Sequence, residues 1–371
     1  MAGASAAVAP PVEKADATAW IAVAAGALGA MLATLDISIV NSALPTIQGE
    51  IGATGTEGTW IATAFLVAEI IIIPLSAWLE RLLGLRTLLI VAVSAFTAFS
   101  VLCGIATDLT TMIIGRTGQG FMGGALIPTA MTIVAKRLPP SQQPIGMALF
   151  GMTVVLGPVM GPLVGGWLTE NLSWHYAFFV NVPVCALLLA LLFIGLPHEK
   201  PDWVYLREAD WAGIVGMILG LGGLTVVLEE GHREEWFEST LIVQLTLMTI
   251  VGFALLTYGQ LYARKPVLKL RLMLSRQFAS VVVMALALGM VMYGSTYVIP
   301  QFLAIISDYN ALQTGFVIFW MGVPAFLLMP VLPFMIRRIH IRIAVGAGMF
   351  IMALSCFVSI NLTAESGGGV F

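Results

Sequence analysis

Long apolar runs constrain this chain more than any other feature. Residues 20–36, 85–107, 177–196 and 341–360 each come close to the ~20 residues an α-helix needs to cross ~30 Å of hydrocarbon. In lipid a segment must satisfy its own backbone N–H and C=O groups, and these runs are too long for barrel strands, so they read as transmembrane helices. Composition agrees. Of the 371 residues 59% are hydrophobic and 10% charged, whereas a soluble domain carries about 25% charged residues. The expected fold class is an all-α polytopic membrane protein.

Charged, glycine and proline breaks divide the chain into about 11 spans, at 19–46, 57–79, 86–107, 109–135, 142–169, 176–196, 211–229, 240–262, 277–305, 312–336 and 342–362. With the N-terminus in the cytoplasm, fifteen of the seventeen Lys and Arg fall on the inner side, as the positive-inside rule requires. The exceptions are Arg233, in an outer loop, and Arg116, within a span. A miscounted span would invert every later loop, and none is inverted. The expected organisation is a flexible cytoplasmic tail over 1–18 and a six-helix bundle over 19–196. An inner linker with two additional helices follows over 197–270, and three further helices over 271–371. The tail lacks the positive leader of a secretory signal.

Several function classes drop out. Cys103, Cys185 and Cys356 lie in apolar runs with neither metal-ligand spacing nor a disulfide framework. No His cluster, nucleophile elbow or phosphate-binding glycine loop suggests an enzyme, no cofactor is expected, and no filter-like loop suggests a channel. No nucleic-acid partner is expected.

The polar residues inside the spans carry the functional reading. Asp36 lies in Leu35-Asp36-Ile37-Ser38-Ile39-Val40-Asn41-Ser42-Ala43-Leu44-Pro45. A carboxylate among apolar residues is costly and by default marks an ion or proton pathway. Ten residues from Thr46, it is expected ~15 Å deep. Glu69, twelve residues into the second span, is expected at a similar depth, either as a second proton carrier or as a neutral structural hydrogen-bond partner. Arg116, in Gly115-Arg116-Thr117-Gly118-Gln119-Gly120, cannot shed its charge. It either snorkels to the outer surface or pairs with a carboxylate of similar depth, and Gln119 shares its face. Gly157, Gly161 and Gly165 recur every four residues beside Pro158 and Pro162. They form a close-packing face on a bendable helix, suited to rocking or sliding.

Together these stretches resemble the fourteen-span drug:proton antiporter branch of the major facilitator superfamily, the EmrB/QacA-like exporters. The resemblance rests on residues 35–45 with Asn41 and Pro45, on Arg116, Gln119 and Gly120, and on the glycine–proline run at 157–166. It extends to Trp174-His175-Tyr176-Ala177-Phe178-Phe179-Val180-Asn181-Val182-Pro183 and to 210–213 and 229–237. In the inner loop after the second span, Leu79, Gly84 and Arg86 are kept, whereas Arg81 stands where that family has aspartate, with Glu80 as a substitute.

The resemblance implies a major facilitator fold with its first six-helix bundle complete, two extra central helices and about half of the second bundle, a C-terminal truncation. It implies inverted three-helix repeats, alternating access and a proton-coupling role for Asp36 and Arg116. The expected activity is drug:H+ antiport of hydrophobic or amphipathic compounds across the bacterial inner membrane, driven by the proton motive force. A dedicated exporter of one metabolite, siderophore or lipid-like molecule, or a non-transporting fragment, are the alternatives. Substrate would sit between bundles, near Met122, Met152, Met292, Tyr293, Tyr297 and Phe302, residue types that more often simply pack. In a two-membrane bacterium the resemblance adds a periplasmic adaptor and an outer-membrane channel as partners.

Overall fold

The computed structural model describes residues 14–268, 270, 275–305, 309 and 311–358. The first span is α1 (Ala17–Glu50), started by Asp16, whose carboxylate accepts the Ala19 N–H at 2.8 Å. It continues through Pro45 to Glu50, beyond the expected end at 46, because proline costs one backbone bond there without ending the helix. Asp36 therefore lies fourteen residues, ~21 Å, from the end of its helix, deeper than expected.

The second span is α2 (Gly55–Gly58) followed by α3 (Trp60–Leu83), and a Thr54–Glu57 capping box opens it. Only Gly84, with φ 80°, separates α3 from α4 (Leu85–Gly104). The fourth span divides into α5 (Leu109–Gly123) and α6 (Leu126–Arg137). Pro128 has no N–H for the Gly124 carbonyl, so the helix breaks there. Next come α7 (Gln143–Asn171), α8 (Tyr176–Phe179) and α9 (Asn181–Gly195). Here Pro183 denies the Phe179 carbonyl its donor and separates the last two. A short α10 (Val204–Arg207) lies in the linker before α11 (Trp211–Glu230) and α12 (Thr240–Tyr262). Four more helices complete the described chain: α13 (Arg276–Ile305), α14 (Ala311–Leu328), α15 (Leu332–Arg338) and α16 (Ile341–Val358).

Helix thus occupies all eleven expected spans. Among the described residues, seven helices are individually long and apolar enough to cross a membrane, from Ala17–Glu50 to Thr240–Tyr262. The divided fourth span is not among them. The last three spans contribute shorter apolar helices, Arg276–Met292, Gln313–Leu328 and Ile341–Phe357.

Helix α1 is the axis of the first bundle, packing along α7 and against α6 and α9. Lipid tails are as apolar as leucine, so close association depends on small residues that let backbones meet. The glycine stripe of α7 supplies them. Gly157, Gly161 and Gly165 face Thr34, Ser38 and Ser42 of α1, and a Cβ on Gly165 would stand 2.8 Å from the Ile39 carbonyl oxygen. Pro162 cannot donate to the Pro158 carbonyl, and Ser38 Oγ donates to it instead, at 3.4 Å. The prolines therefore remain inside an unbroken helix.

The central pair α11 and α12 packs closely through Gly216, Gly220 and Gly252, and α11 lies on α3, where Gly222 meets Ile71. The later helices touch the first bundle through α14 and α7, with Gly322 against Val159. At one end of the bundle the Ala15 N–H donates to Gln142, Arg137 donates to the Gly195 carbonyl, and the Leu85 N–H donates to Glu199 at 2.7 Å. At the other end Trp174 Nε1 donates to Glu50 at 2.8 Å, and Thr63 Oγ1 donates to the buried Glu230 at 2.5 Å. The helix ends named here thus meet in two separate groups.

Candidate functional site

A lone carboxylate or guanidinium inside an apolar bundle costs several kcal/mol. Here the two meet. Asp36 on α1 and Arg116 on α5, 0% and 1% exposed, pair at 2.7 Å through Asp36 Oδ2 and Arg116 Nη1. Arg116 therefore does not snorkel. It lies one helical turn from Gln119, and its Nε donates to the Ile61 carbonyl at 3.3 Å. Its guanidinium carbon stands 4.1 Å from the centroid of the Phe65 ring.

The second oxygen of Asp36 is equally well served. Oδ1 accepts from Asn181 Nδ2 at 2.6 Å and from Gln119 Nε2 at 3.2 Å. Ser100 Oγ on α4 accepts from both amides, at 2.7 Å from Gln119 and 3.2 Å from Asn181. Gln119 Oε1 accepts from Arg116 Nη1 at 3.1 Å and from Cys103 Sγ at 3.4 Å. Helices α1, α3, α4, α5 and α9 thus converge on one carboxylate. Its three donors are Arg116, Gln119 and Asn181, the first of them a cation, so the bonds to this carboxylate are charge-assisted.

Local sequence explains how each element arrives there. Asp108 starts α5 by accepting the Thr111 N–H at 2.9 Å, which fixes the face carrying Arg116 and Gln119. Gly120 admits the backbone of α3, since a Cβ there would stand 2.9 Å from the Phe65 carbonyl carbon. The break before α9 places Asn181 in its first turn, with its side chain inside the bundle.

Other expected residues fall elsewhere. Glu69 is 8% exposed and makes no hydrogen bond or ion pair among the described residues. It lies against Gly124, while Arg116 meets α3 at Ile61 and Phe65. Glu69 is therefore one to two turns, ~6–12 Å, further along α3 than the ion pair and not level with it. Asn41 and Pro45 are exposed, outside the cage. Glu80 pairs with Lys136 at 2.6 Å, Gly84 abuts Glu199, and the Arg86 guanidinium stands 5.4 Å from the centroid of the Phe193 ring.

The residues expected around substrate differ in their exposure. Met122 packs against the core of the first bundle, Met152 and Phe302 are half-buried and Met292 is exposed. The side chains of Tyr293 and Tyr297 lie outside the described residues. An apolar cleft between the bundles is lined by Val155, Leu156, Val159, Phe319, Val323 and Phe326.

Ser100 and Asn181 complete the cage and were not singled out from the sequence. Ser100 sits in an apolar run rich in Ser and Thr, where a hydroxyl usually bonds its own helix. Asn181, a carboxamide at the mouth of an apolar run, gave the stronger signal.

A multi-pass helical bundle with a buried ion pair and glycine-lined helix contacts has the architecture of a membrane transport protein. The sequence profile described as Major Facilitator Superfamily matches residues 26–371, and the chain belongs to that family. It is 33% identical over 349 residues to the colistin resistance protein EmrB of Acinetobacter baumannii, covering 94% of this chain and 68% of that protein. It is 31% identical over 341 residues to the multidrug export protein EmrB of Escherichia coli, covering 92% of this chain and 66% of that one. The fatty acid resistance protein FarB of Neisseria gonorrhoeae is 32% identical over 357 residues, with 96% and 70% covered. The chain spans about two thirds of the length of these relatives. Among solved structures, the proton:xylose symporter XylE superposes with a TM-score of 0.57 at 15% identity, over 86% of this chain and 69% of that one, a likeness of fold. With relatives named as multidrug export proteins in this family, the chain is a transport protein rather than an enzyme.

Proposed function

We propose that the chain carries out proton-coupled efflux of hydrophobic or amphipathic compounds across the bacterial inner membrane, by alternating access. The carrying observation is the fully buried Asp36, held by Arg116, Gln119 and Asn181 where four helices besides its own converge. A group whose protonation state decides the charge of a buried cluster is a natural coupling element, because its proton cannot leave or arrive without helix movement. In this reading the described arrangement is the ionised, closed form. Opening on the outer side admits a proton to Asp36, and closure restores its full charge against Arg116 and releases the proton inside. The α1–α7 interface provides the moving contact, since a glycine face against short hydroxyl side chains has little to interlock. Glu69 joins as a second carrier reached on a different stroke, consistent with its separate depth.

Amphipathic substrates fit the names of the relatives, one a colistin and one a fatty acid resistance protein. The cleft between α7 and α14 is apolar and lies between bundles, where a substrate would be exposed to alternating sides. The N-terminus is cytoplasmic in this reading, no cofactor is required beyond the proton motive force, and in a two-membrane bacterium an adaptor and an outer channel complete the path.

The test is transport by the 371-residue chain in liposomes loaded with ethidium, with an imposed pH gradient. The wild-type chain should expel the dye faster when protons flow the other way, and Asp36→Asn should abolish that acceleration. Equal acceleration in Asp36→Asn would refute the proposal.

A further inference from the structure

One polar atom of the cage is left without a partner. Asn181 Oδ1 is buried and accepts no hydrogen bond among the described residues, while Nδ2 of the same amide donates to both Asp36 and Ser100. Buried acceptors are normally satisfied, so a bare one beside a proton-carrying group calls for an explanation. Its bareness also leaves that side of the amide with no bond to break if the amide turns over.

A proton can join Asp36 on either oxygen. Oδ2 faces Arg116 Nη1, which has no acceptor, so protonation there requires the ion pair to separate. Oδ1 faces the Asn181 NH2 at 2.6 Å, and a proton on that line would meet an N–H head-on. Turning the Asn181 amide over removes the conflict. Its oxygen then occupies the place of Nδ2, accepts the new Asp36 O–H, and receives the O–H of Ser100, which now accepts from both amides. Gln119 cannot make this turn. Its Oε1 already accepts from Arg116 and Cys103, and inversion would aim an NH2 group at a guanidinium.

We infer that Asn181 is a positioning residue for proton loading. Its amide donates to the Asp36 carboxylate and turns over to accept from the carboxylic acid, so that Asp36 takes its proton on Oδ1 while Arg116 remains at Oδ2. This rests on the reading of Asp36 as the proton carrier. The step adds one proton from outside. An O–H bond forms at Asp36 Oδ1, the carboxylate charge is neutralised, and no covalent bond breaks. The other titratable groups that interact electrostatically with Asp36 are Arg116, at contact, and, further off, Glu69 on α3, Cys103 on α4 and Cys185 on α9. Helices α6 and α7 carry Lys, Arg and Glu only in their last turns, at Lys136, Arg137 and Glu170. Neither supplies an acceptor for the new proton.

The experiment is infrared difference spectroscopy, acid minus neutral, on the full chain in lipid with carbonyl-labelled asparagine and helicity followed in parallel. Asp36→Asn assigns the carboxyl band, and Asn181→Leu and Asn181→Ser assign the amide band, either sufficing if the other fails to fold. The expected result is a protonated carboxyl band from Asp36 and an Asn181 carbonyl band moving to lower wavenumber with the same midpoint. Losing an amide that serves both forms should shift the carboxyl midpoint by less than about half a pH unit, whereas losing a fixed donor raises it by about one to two units. A titrating carboxyl with a stationary Asn181 carbonyl, or the larger shift, overturns the inference and leaves the proton-carrier reading standing. If no Asp36 carboxyl band forms at any pH that preserves the helices, both are overturned.

Discussion

Replacing Asp36 with asparagine strands a guanidinium inside the bundle, and the cage sets the cost. Two unit charges ~4 Å apart at an effective dielectric of ~20 attract by about 4 kcal/mol. Removing one side of a buried pair costs about 3–5 kcal/mol, mainly because the survivor is uncompensated. Arg116 would keep the Ile61 carbonyl, Gln119 Oε1 and the Phe65 ring. The lower end, about 3 kcal/mol, is therefore expected, about a hundredfold in the opening equilibrium. Cys103 reports that opening directly, because it is buried and its thiol stands 3.4 Å from Gln119 Oε1. In a Cys185→Ser, Cys356→Ser background, Asp36→Asn should speed alkylation of Cys103 by about a hundredfold. Arg116→Gln should also speed it at neutral pH, but much less in acid, where the stranded carboxylate can bind a proton. Asp36→Asn should find no such relief, since a guanidinium cannot discard its charge. The double variant should recover most of the protection. If Asp36→Asn labels within about threefold of the wild-type rate, the charge-pair estimate is wrong.

Three further outcomes are expected. Gly165→Ala places a Cβ 2.8 Å from the Ile39 carbonyl oxygen and 3.0 Å from its Cα, backbone atoms that cannot turn aside. It should cost about 1–3 kcal/mol in a denaturant titration, whereas Gly166→Ala, with nothing within 4 Å, should be neutral or stabilising by up to about 1 kcal/mol. Glu199→Ala removes the acceptor of the Leu85 N–H at the start of α4. It should raise hydrogen exchange at Leu85 and destabilise by about 0.5–2 kcal/mol. The carboxyl of Asp108 is held below its ordinary value of 3.8, first by the Thr111 N–H and then by the Thr111 hydroxyl. A depressed folded-state value means that its contribution is present above about 3.8 and fades as pH falls through the lower folded value. The protection factor of the Thr111 amide, its exchange relative to the unstructured rate at the same pH, should therefore fall only in that acid window, and Asp108→Asn should show no such step.

Local arithmetic made several features readable in advance. Helix length against membrane thickness marked eleven stretches that are helical among the described residues, seven of them in helices long and apolar enough to cross a membrane, and the fourfold glycine spacing in α7 identified the face that meets Thr34, Ser38 and Ser42. The need of Arg116 for a counter-ion pointed to a carboxylate, and Asp36 provides it. The break at Gly124 was also latent in the sequence, since Pro128 must leave that carbonyl without a donor, but a continuous apolar run concealed it.

Tertiary packing decided the rest. Positions 36, 100, 116, 119 and 181 converge only because α1, α4, α5 and α9 cross at one level, and Arg116 adds α3 through Ile61 and Phe65. Glu69 looked equivalent to Asp36 when depth was counted along each helix from its expected end. The observed α1 end and the contact of Glu69 with Gly124 separate the two. Chain length and solvent preference act residue by residue, and so determine which segments cross the membrane. Which side chains meet inside depends on helix crossing and rotation, quantities set by contacts far apart in the sequence. Asn181 shows the difference: a modest polar residue at the start of an apolar run became, on packing, the hydrogen-bond donor closest to the buried carboxylate.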